Sequence, residues 1–316
     1  MLNYYNKKIV IFLMGPTASG KSELAMILRN YLPIELISVD SALIYKNMNI
    51  GTSKPTDIDL LNHPHRLINL IDPGNLYSVS NFRHDVMIEI KKIFKMNKIP
   101  LLVGGTMFYY YILLHGISIL PKSNLSLRKK LLYYSTIKND NFLYRYLSLI
   151  DHDSYKKIHP NDIQRIIRAL EVYLITGKKM SFLKKNILNI FPYQTIQFAI
   201  IPKKKYLYNN IKNRFYYMLH QGFELEVKKL FYRGDLNMKL PSIRCIGYRQ
   251  MWMYFLNNIS YDEMIKLSIT STYNFSKKQI TWLKTWKNIN FLFDTNINIL
   301  IKKILKIIYY QYLFFK

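Results

Sequence analysis

Residues 15–22 form a complete phosphate-binding loop, Gly-x-x-x-x-Gly-Lys-Ser, and this motif constrains the fold more than any other feature of the chain. An apolar run at 9–13 precedes the loop and a helical pattern at 23–28 follows it, which is the strand–loop–helix context that the motif requires. In such a loop the backbone N–H groups surround phosphate oxygens, Lys21 reaches the terminal phosphate, and the Ser22 hydroxyl faces a magnesium ion. The motif predicts that a phosphoanhydride is bound and leaves open what happens to it.

Cysteine content and hydropathy limit the class of protein. Cys245 is the only cysteine among 316 residues, so neither an intrachain disulfide nor a thiolate zinc site can form, and a cytoplasmic location is expected. A small apolar filler is a simpler interpretation of Cys245 than a nucleophile. The apolar stretches 106–120 and 298–316 are too short or too interrupted by charge to span a bilayer. We therefore expect a soluble protein with no membrane partner.

The chain is strongly basic, with 46 Lys and Arg against 19 Asp and Glu and a formal charge of +27. A positive electrostatic field is expected of a protein that binds a polyanion. Drift toward A/T-rich codons, which encode Lys, explains the total charge equally well. The arginines carry more information, because only 11 of the 46 basic residues are Arg and four of these fall in the segments 164–168 and 244–249. The planar guanidinium suits phosphate groups and base edges.

Strand and helix patterns alternate over the first 120 residues, with strand patterns at 35–40 and 99–106 and helical spacing at 82–95. This alternation predicts an α/β fold, a P-loop NTPase-like parallel sheet flanked by helices. Ligands of such sheets bind at the carboxyl ends of the strands. Because the phosphate loop, Asp40 and Thr106 each follow a strand, we expect all three to meet at one edge of the sheet.

From residue 121 to residue 192 the strand patterns disappear and helical patterns take over, which predicts a small all-helical insertion domain within a catalytic core of 1–120 and 193–316. One helix of the insertion should begin at Asn161 or Asp162, bury an apolar stripe, and end at Gly177. A strand is predicted at 197–201, with helices after it.

Several single residues allow more than one interpretation. Asp40 fits a magnesium ligand, a general base or the cap of a helix at 41–45, and Thr106 fits either a site residue or a turn residue. Glu226 and Lys229 are typical of a solvated helix face. The three tryptophans are expected to be core anchors: Trp252, Trp282 and Trp286.

Eight segments, in order, resemble the IPP transferases, the bacterial isopentenyl transferases that modify tRNA. They extend over nearly the whole chain, from about residue 9 to 290. The matching segments are 15–22, 38–45, 50–55, 64–67, 102–106, 159–165, 243–250 and 277–282.

The resemblance implies that a dimethylallyl group is transferred from dimethylallyl diphosphate to N6 of the adenosine beside the anticodon in tRNA, by a monomeric enzyme. Asp40 would act as general base, and Thr106 would bond near the diphosphate or the amine. Mg²⁺ would bind at Ser22 through the diphosphate. The residues implied in diphosphate binding are Gly15, Pro16, Thr17, Ala18, Ser19, Gly20, Lys21, Ser22 and Arg214.

The resemblance also implies a tRNA-binding surface for the anticodon stem-loop, formed by the insertion and by three segments of the core. The implied residues are Asp40, Ser41, Ala42, Leu43, Thr106, Arg128, Gln164, Arg165, Ile166, Ile167, Arg168, Arg244, Cys245, Ile246, Gly247, Tyr248, Arg249, Lys277, Lys278, Gln279, Ile280, Thr281, Trp282, Leu283 and Lys284. The chain departs from the family at 272–276, where an Arg is usual, and at Lys278, which replaces another Arg.

Two other functions use the same loop. A small-molecule or nucleoside kinase would bind ATP and magnesium there, and it would also need an adenine-binding segment and an arginine-rich lid. A non-catalytic RNA-binding protein could retain a vestigial loop, although the intact Lys21 and Ser22 argue against it.

Overall fold

The computed structural model describes residues 8–137, 141–185, 187–188 and 190–314. The chain divides into two compact units, Met1–Tyr110 with Tyr193–Lys316, and Tyr111–Pro192. The strands are β1 (Ile9–Met14), β2 (Ile34–Val39), β3 (His65–Arg66), β4 (Ile99–Gly104), β5 (Ile117–Ser118), β6 (Ile187–Leu188), β7 (Gln194–Ile200) and β8 (Asn290–Leu292). The helices are α1 (Lys21–Leu28), α2 (Asp57–Asn62), α3 (Val79–Lys95), α4 (Met107–His115), α5 (Leu125–Ile137), α6 (Phe142–Ile150), α7 (His152–Lys157), α8 (Ile163–Thr176), α9 (Met180–Leu183), α10 (Lys204–His220), α11 (Phe223–Phe231), α12 (Tyr248–Phe255), α13 (Tyr261–Lys284) and α14 (Ile297–Phe314).

The first unit is built on a parallel sheet of strand order β3-β2-β4-β1-β7-β8. Every residue of β1, β2 and β4 is buried, as expected of strands covered by helices on both faces. Side chains of α1 and α14 pack on the sheet, with Leu24 and Ile304 in the same apolar core as Ile11 and Leu101. The predicted parallel α/β sheet is confirmed. The short strand β8 lies in a region where only helices were predicted.

Helices α10 to α13 and the segment that follows β2 enclose a second apolar core in the same unit. Tyr45, Phe223 and Tyr248 are among its fully buried members, and Trp252 is buried there as predicted. This second core supports the loops that lie beyond the carboxyl ends of the strands.

The second unit contains α5 to α9 and a short antiparallel ladder in which Ile117 pairs with Leu188. The predicted long helix of this unit is α8: the Asp162 side chain accepts the Arg165 N–H at 3.1 Å, and Gly177 ends the helix in the left-handed region at φ 68°. The ladder is a feature that the helical patterns did not indicate. In the part of the chain that the structure describes, no helix is both long and apolar enough to cross a membrane.

Candidate active site

The phosphate loop connects β1 to α1 and is tightly wound. Ala18 at φ 61° and Gly20 at φ 82° adopt left-handed conformations, which turn the backbone between strand and helix. A Cβ at Gly15 would lie 2.8 Å from Ser19 Oγ and 3.1 Å from the Ile200 carbonyl oxygen, so a larger residue does not fit there. Ser19 Oγ is buried and has no hydrogen-bond partner among the described residues. A buried hydroxyl of this kind is a donor that a bound anion can satisfy.

A cavity of about 480 Å³ opens beside this loop. Lys21, Ser22, Asp40 and Thr106 all line it, so the prediction that the loop, Asp40 and Thr106 meet at one edge of the sheet is confirmed. Apolar residues from the part of the unit that contains α10 to α13 also line the cavity: Ile211, Phe215, Met218, Pro241, Ile246 and Phe275. The cavity thus combines polar groups of the phosphate loop with apolar side chains.

Two desolvated cations, Lys21 and Arg214, lie near the Asp40 carboxylate at the cavity, which the exposed Arg244 also lines. Lys21 Nζ donates to the Pro16 carbonyl at 3.0 Å, and burial lowers the pKa of this amine to about 8 although the charge of Asp40 acts to raise it. Arg214 lies on α10 and also lines the cavity. Burial lowers the pKa of its guanidinium too, again against the charge of Asp40. Desolvated cations bind an anion more strongly than exposed ones do.

Asp40 and Thr106 are fixed by short backbone contacts. Asp40 Oδ1 accepts the Ala42 N–H at 2.8 Å, and Thr106 Oγ1 accepts the Ser41 N–H at 3.1 Å. Residues 41–44 form a turn, so the helix considered for 41–45 is absent and Asp40 caps a turn instead. Since only one carboxylate oxygen is needed for the cap, the other can accept a proton in the cavity.

Gln279 connects the phosphate loop to the turn that carries Thr106. Its Oε1 accepts the Thr17 N–H at 3.0 Å, and its Nε2 donates to the Gly105 carbonyl at 2.7 Å. The side chain is buried within the frame of the site and also lines the cavity. Its expected contact with tRNA stays a prediction.

Comparisons with known proteins agree on one family. A model of the family described as IPP transferase matches residues 43–286. The tRNA dimethylallyltransferase of Buchnera aphidicola subsp. Acyrthosiphon pisum (strain APS) is 55% identical over 310 residues, which cover 97% of this chain and 98% of that protein. The chain belongs to the IPP transferase family. A second relative of the same name, from Buchnera aphidicola subsp. Baizongia pistaciae (strain Bp), is 52% identical over 305 residues, 96% of this chain and 94% of that protein.

Solved structures of the family have the same fold. The full-length tRNA isopentenylpyrophosphate transferase of Bacillus halodurans has a TM-score of 0.72 and 29% identity, and the match covers 97% of each chain. A eukaryotic dimethylallyltransferase acting on tRNA has a TM-score of 0.78 and 27% identity, over 90% of this chain and 74% of that one.

In this IPP transferase the residues expected to bind tRNA on α13 divide into two groups. Lys277, Lys278, Thr281, Trp282 and Lys284 are exposed. Leu283 is fully buried and Ile280 packs against the second apolar core, so their side chains support the helix. Trp282 is 38% exposed, and the prediction that it is a core anchor is wrong.

The segment 244–249 divides in the same way. Arg244 and Arg249 are exposed, and Arg244 also lines the cavity. Tyr248 is fully buried and donates its hydroxyl to Glu226, and its expected contact with tRNA stays a prediction. Cys245 lines the cavity, and burial raises the pKa of its thiol to about 12. A neutral thiol agrees with its interpretation as an apolar filler.

In the second unit, Gln164 and Arg165 are exposed, and Arg165 is 74% exposed beside Asp162 at 3.3 Å. Arg128 and Arg168 instead bind the fully buried carboxylate of Glu171, Arg128 through Nε at 2.9 Å and Nη2 at 2.8 Å. These two arginines neutralise an internal carboxylate, and their expected role in tRNA binding stays a prediction. Two apolar members of the expected set are buried in the helical core: Ile166 and Ile167.

Two residues near the site were missed. Glu226, assigned to a solvated helix face, accepts three consecutive backbone N–H groups, and Lys54 is buried with its Nζ on three oxygen atoms. Burial lowers the pKa of Lys54 to about 8. The backbone N–H groups that Glu226 binds lie 175 to 177 residues away along the chain. The acceptors of Lys54 lie 5 to 15 residues away, and neither set of partners forms a recognisable motif.

Proposed function

We propose that this IPP transferase moves a dimethylallyl group from dimethylallyl diphosphate to N6 of the adenosine beside the anticodon in tRNA. One observation carries the proposal: Lys21, Asp40 and Thr106 line a single cavity that apolar side chains also line. The polar groups suit a diphosphate, and the apolar side chains suit a five-carbon chain. A monomeric enzyme and a cytoplasmic location are further parts of the proposal.

The diphosphate would be held by the loop amides, by Lys21 and by Arg214. When the allylic C–O bond breaks, negative charge builds up on the departing diphosphate, and the two buried cations stabilise that charge. The Ser19 hydroxyl, buried without a partner among the described residues, would donate to a phosphate oxygen.

The nucleophile is an exocyclic amine whose lone pair is delocalised into the adenine ring. Asp40 would accept the N6 proton as the C–N bond forms, which is general-base catalysis. Its oxygen that caps the turn keeps the carboxylate in place. The Thr106 hydroxyl accepts the Ser41 N–H, and its own proton can still be donated to the diphosphate or the amine.

The site suits magnesium. The hydroxyl oxygen of Ser22 and the carboxylate oxygens of Asp40 both line the cavity, and Mg²⁺ typically takes one or two protein oxygens together with substrate phosphates and water. Ser22 is the residue we propose to hold it. The bound ion would neutralise charge on the leaving group.

The exposed cations around the cavity are proposed to bind the anticodon stem-loop. Arg244 and Arg249 would contact phosphates or base edges, and the exposed side of α13 would extend this surface: Lys277, Lys278, Thr281, Trp282 and Lys284. Gln164 and Arg165 of the second unit are proposed to contact the same RNA. An adenine in a single-stranded loop is unstacked at a cost of only a few kcal/mol.

The test is incubation of the protein with labelled dimethylallyl diphosphate, magnesium and total tRNA, followed by nucleoside analysis. We expect labelled N6-dimethylallyladenosine, and none with Lys21→Ala although that variant still binds tRNA. Phosphate transfer from labelled ATP to a nucleoside, with no labelled tRNA, would indicate the kinase alternative. Loss of tRNA affinity with unchanged diphosphate affinity in Lys21→Ala would refute the assignment of the loop.

A further inference from the structure

Residues 49–53 form a loop, which we call the 49–53 loop, and the Glu226 carboxylate holds its backbone. The proposed transfer reaction does not use this carboxylate. Glu226 lies in the first turn of α11, and its Oε2 accepts the N–H groups of Asn49 and Ile50, both at 2.8 Å. Its Oε1 accepts the Gly51 N–H at 3.1 Å and the hydroxyl of Tyr248. Consecutive N–H groups that point to one place form an anion-binding concavity, and here the anion belongs to the chain itself.

The 49–53 loop is also held from two other sides. A Cβ at Gly51 would overlap the rings of Phe223 and Tyr248, so the backbone lies directly on the second apolar core. Lys54 fixes the end of the loop through three oxygen acceptors. They are the Tyr45 carbonyl at 2.7 Å, Asn49 Oδ1 at 2.9 Å and Asn69 Oδ1 at 2.6 Å.

Thr52 and Ser53, the last two residues of the 49–53 loop, determine where the Arg214 guanidinium lies. Arg214 Nε donates to Ser53 Oγ, and Nη2 donates to the Thr52 carbonyl at 3.2 Å. Its Nη1 donates to Thr17 Oγ1 of the phosphate loop at 3.3 Å. Two of these three acceptors therefore belong to the loop that Glu226 holds.

We propose that Glu226 is a positioning residue for diphosphate binding: it fixes the 49–53 loop, and the loop fixes the Arg214 guanidinium beside the phosphate loop. The inference rests on the proposed function, in which Arg214 binds the diphosphate. A long side chain held by preformed acceptors loses less conformational freedom when its anion binds, so its contribution to affinity is larger. Glu226 itself contacts no substrate in this scheme.

Glu226→Gln tests the proposal, because the amide keeps the size of the side chain but turns an NH₂ group toward backbone N–H donors. The probe is inorganic diphosphate with magnesium, titrated calorimetrically into the full-length protein. We expect affinity to fall about tenfold, the size of one lost hydrogen bond to a charged group. KM for dimethylallyl diphosphate should rise in parallel, while KM for tRNA stays at the parent value. Glu224→Gln makes the same change in the same helix and is the matched control.

The decisive comparison is made in the Arg214→Ala background, where Glu226→Gln should cause no further loss of diphosphate affinity. An equal loss in both backgrounds would mean that Glu226 acts on the fold as a whole, and it would overturn the inference. Parent-like diphosphate affinity in Glu226→Gln, with Arg214→Ala weakened, would overturn it too and leave the proposed function intact. If Arg214→Ala binds diphosphate as the parent does, the proposed role of Arg214 fails first and the inference fails with it.

Tyr248→Phe keeps the test decisive if Glu226→Gln does not fold. It removes one of the four donors to the same carboxylate and leaves the backbone contacts. We expect a smaller loss of diphosphate affinity that again disappears in the Arg214→Ala background. Parent-like binding in a folded Tyr248→Phe, when Glu226→Gln cannot be measured, would overturn the inference.

Discussion

Replacing Asp40 by Asn separates the two roles that the structure gives to this side chain. Asn keeps an Oδ1 that can accept the Ala42 N–H, so the turn at 41–44 should form as before. The free energy of unfolding should therefore change by no more than about 0.5 kcal/mol. The amide cannot accept the N6 proton. Turnover should fall by about 10²- to 10⁴-fold, which corresponds to about 3–5 kcal/mol in the activation barrier.

The same substitution should also change the ionisation of Lys21. The negative charge of Asp40 raises the pKa of this buried amine, which nevertheless lies at about 8. Without that charge the pKa drops further, so Lys21 loses its proton at a lower pH. Because only the charged amine attracts the anion, diphosphate affinity in Asp40→Asn should decline at lower pH than in the parent.

Three measurements test this reasoning: urea denaturation, single-turnover transfer to tRNA, and diphosphate titrations at a series of pH values. Asp57→Asn is the control, since Asp57 is an exposed residue in the first turn of α2. If the folded Asp40→Asn variant turns over almost as fast as the parent, Asp40 is not the general base and only caps the turn. Diphosphate affinity with the same pH dependence as the parent would refute the electrostatic coupling to Lys21.

In the parent, affinity for dimethylallyl diphosphate should fall as pH rises through about 8, where Lys21 loses its charge. An affinity that stays constant across this pH range in calorimetric titrations would contradict the prediction. Gln279→Leu removes two buried hydrogen bonds and should lower the free energy of unfolding by about 2–3 kcal/mol in urea. A change no larger than that of the exposed control Gln221→Leu would contradict it. Arg165→Lys should weaken tRNA binding with little change in stability, whereas Arg168→Lys should lower the melting temperature. The reason is that, of these two arginines, only Arg168 pairs with a buried carboxylate. The opposite pattern in filter binding and thermal melts would refute the distinction between an RNA-binding Arg165 and a structural Arg168.

The convergence of the phosphate loop, Asp40 and Thr106 could be predicted because it follows from topology alone. In a parallel sheet every strand ends at the same edge, so a polar residue directly after a buried strand is placed without knowledge of side-chain packing. The bridge from Gln279 to Thr17 and Gly105 could not be predicted in this way. It depends on how α13 packs against the sheet, and no local pattern records that contact.

The scarcity of arginine indicates which chemistry is needed and leaves the binding partner open. Scarcity of Arg indicates that a planar guanidinium is needed, but it does not say whether the anion is RNA or another part of the chain. For Arg168 the anion is Glu171, three residues along the same helix and fully buried. Helical spacing puts Glu171 one turn beyond Arg168, and the depth of the second-unit core decides between the two partners.

The acidic residues show how far composition can be used to find internal contacts. The chain has only 19 Asp and Glu at a formal charge of +27, so each carboxylate has many cations near it. Glu171 and Glu226 both have specific partners: the first is fully buried between two arginines, and the second holds three backbone N–H groups. Glu35, also buried, is bound by Lys98 at 2.6 Å. The pattern is not general, because Glu23, Asp57 and Asp262 also lie in helices and are exposed. The small number of acids therefore does not distinguish Glu226 from a solvated residue, and only the packing of α11 beside the 49–53 loop gives it its partners.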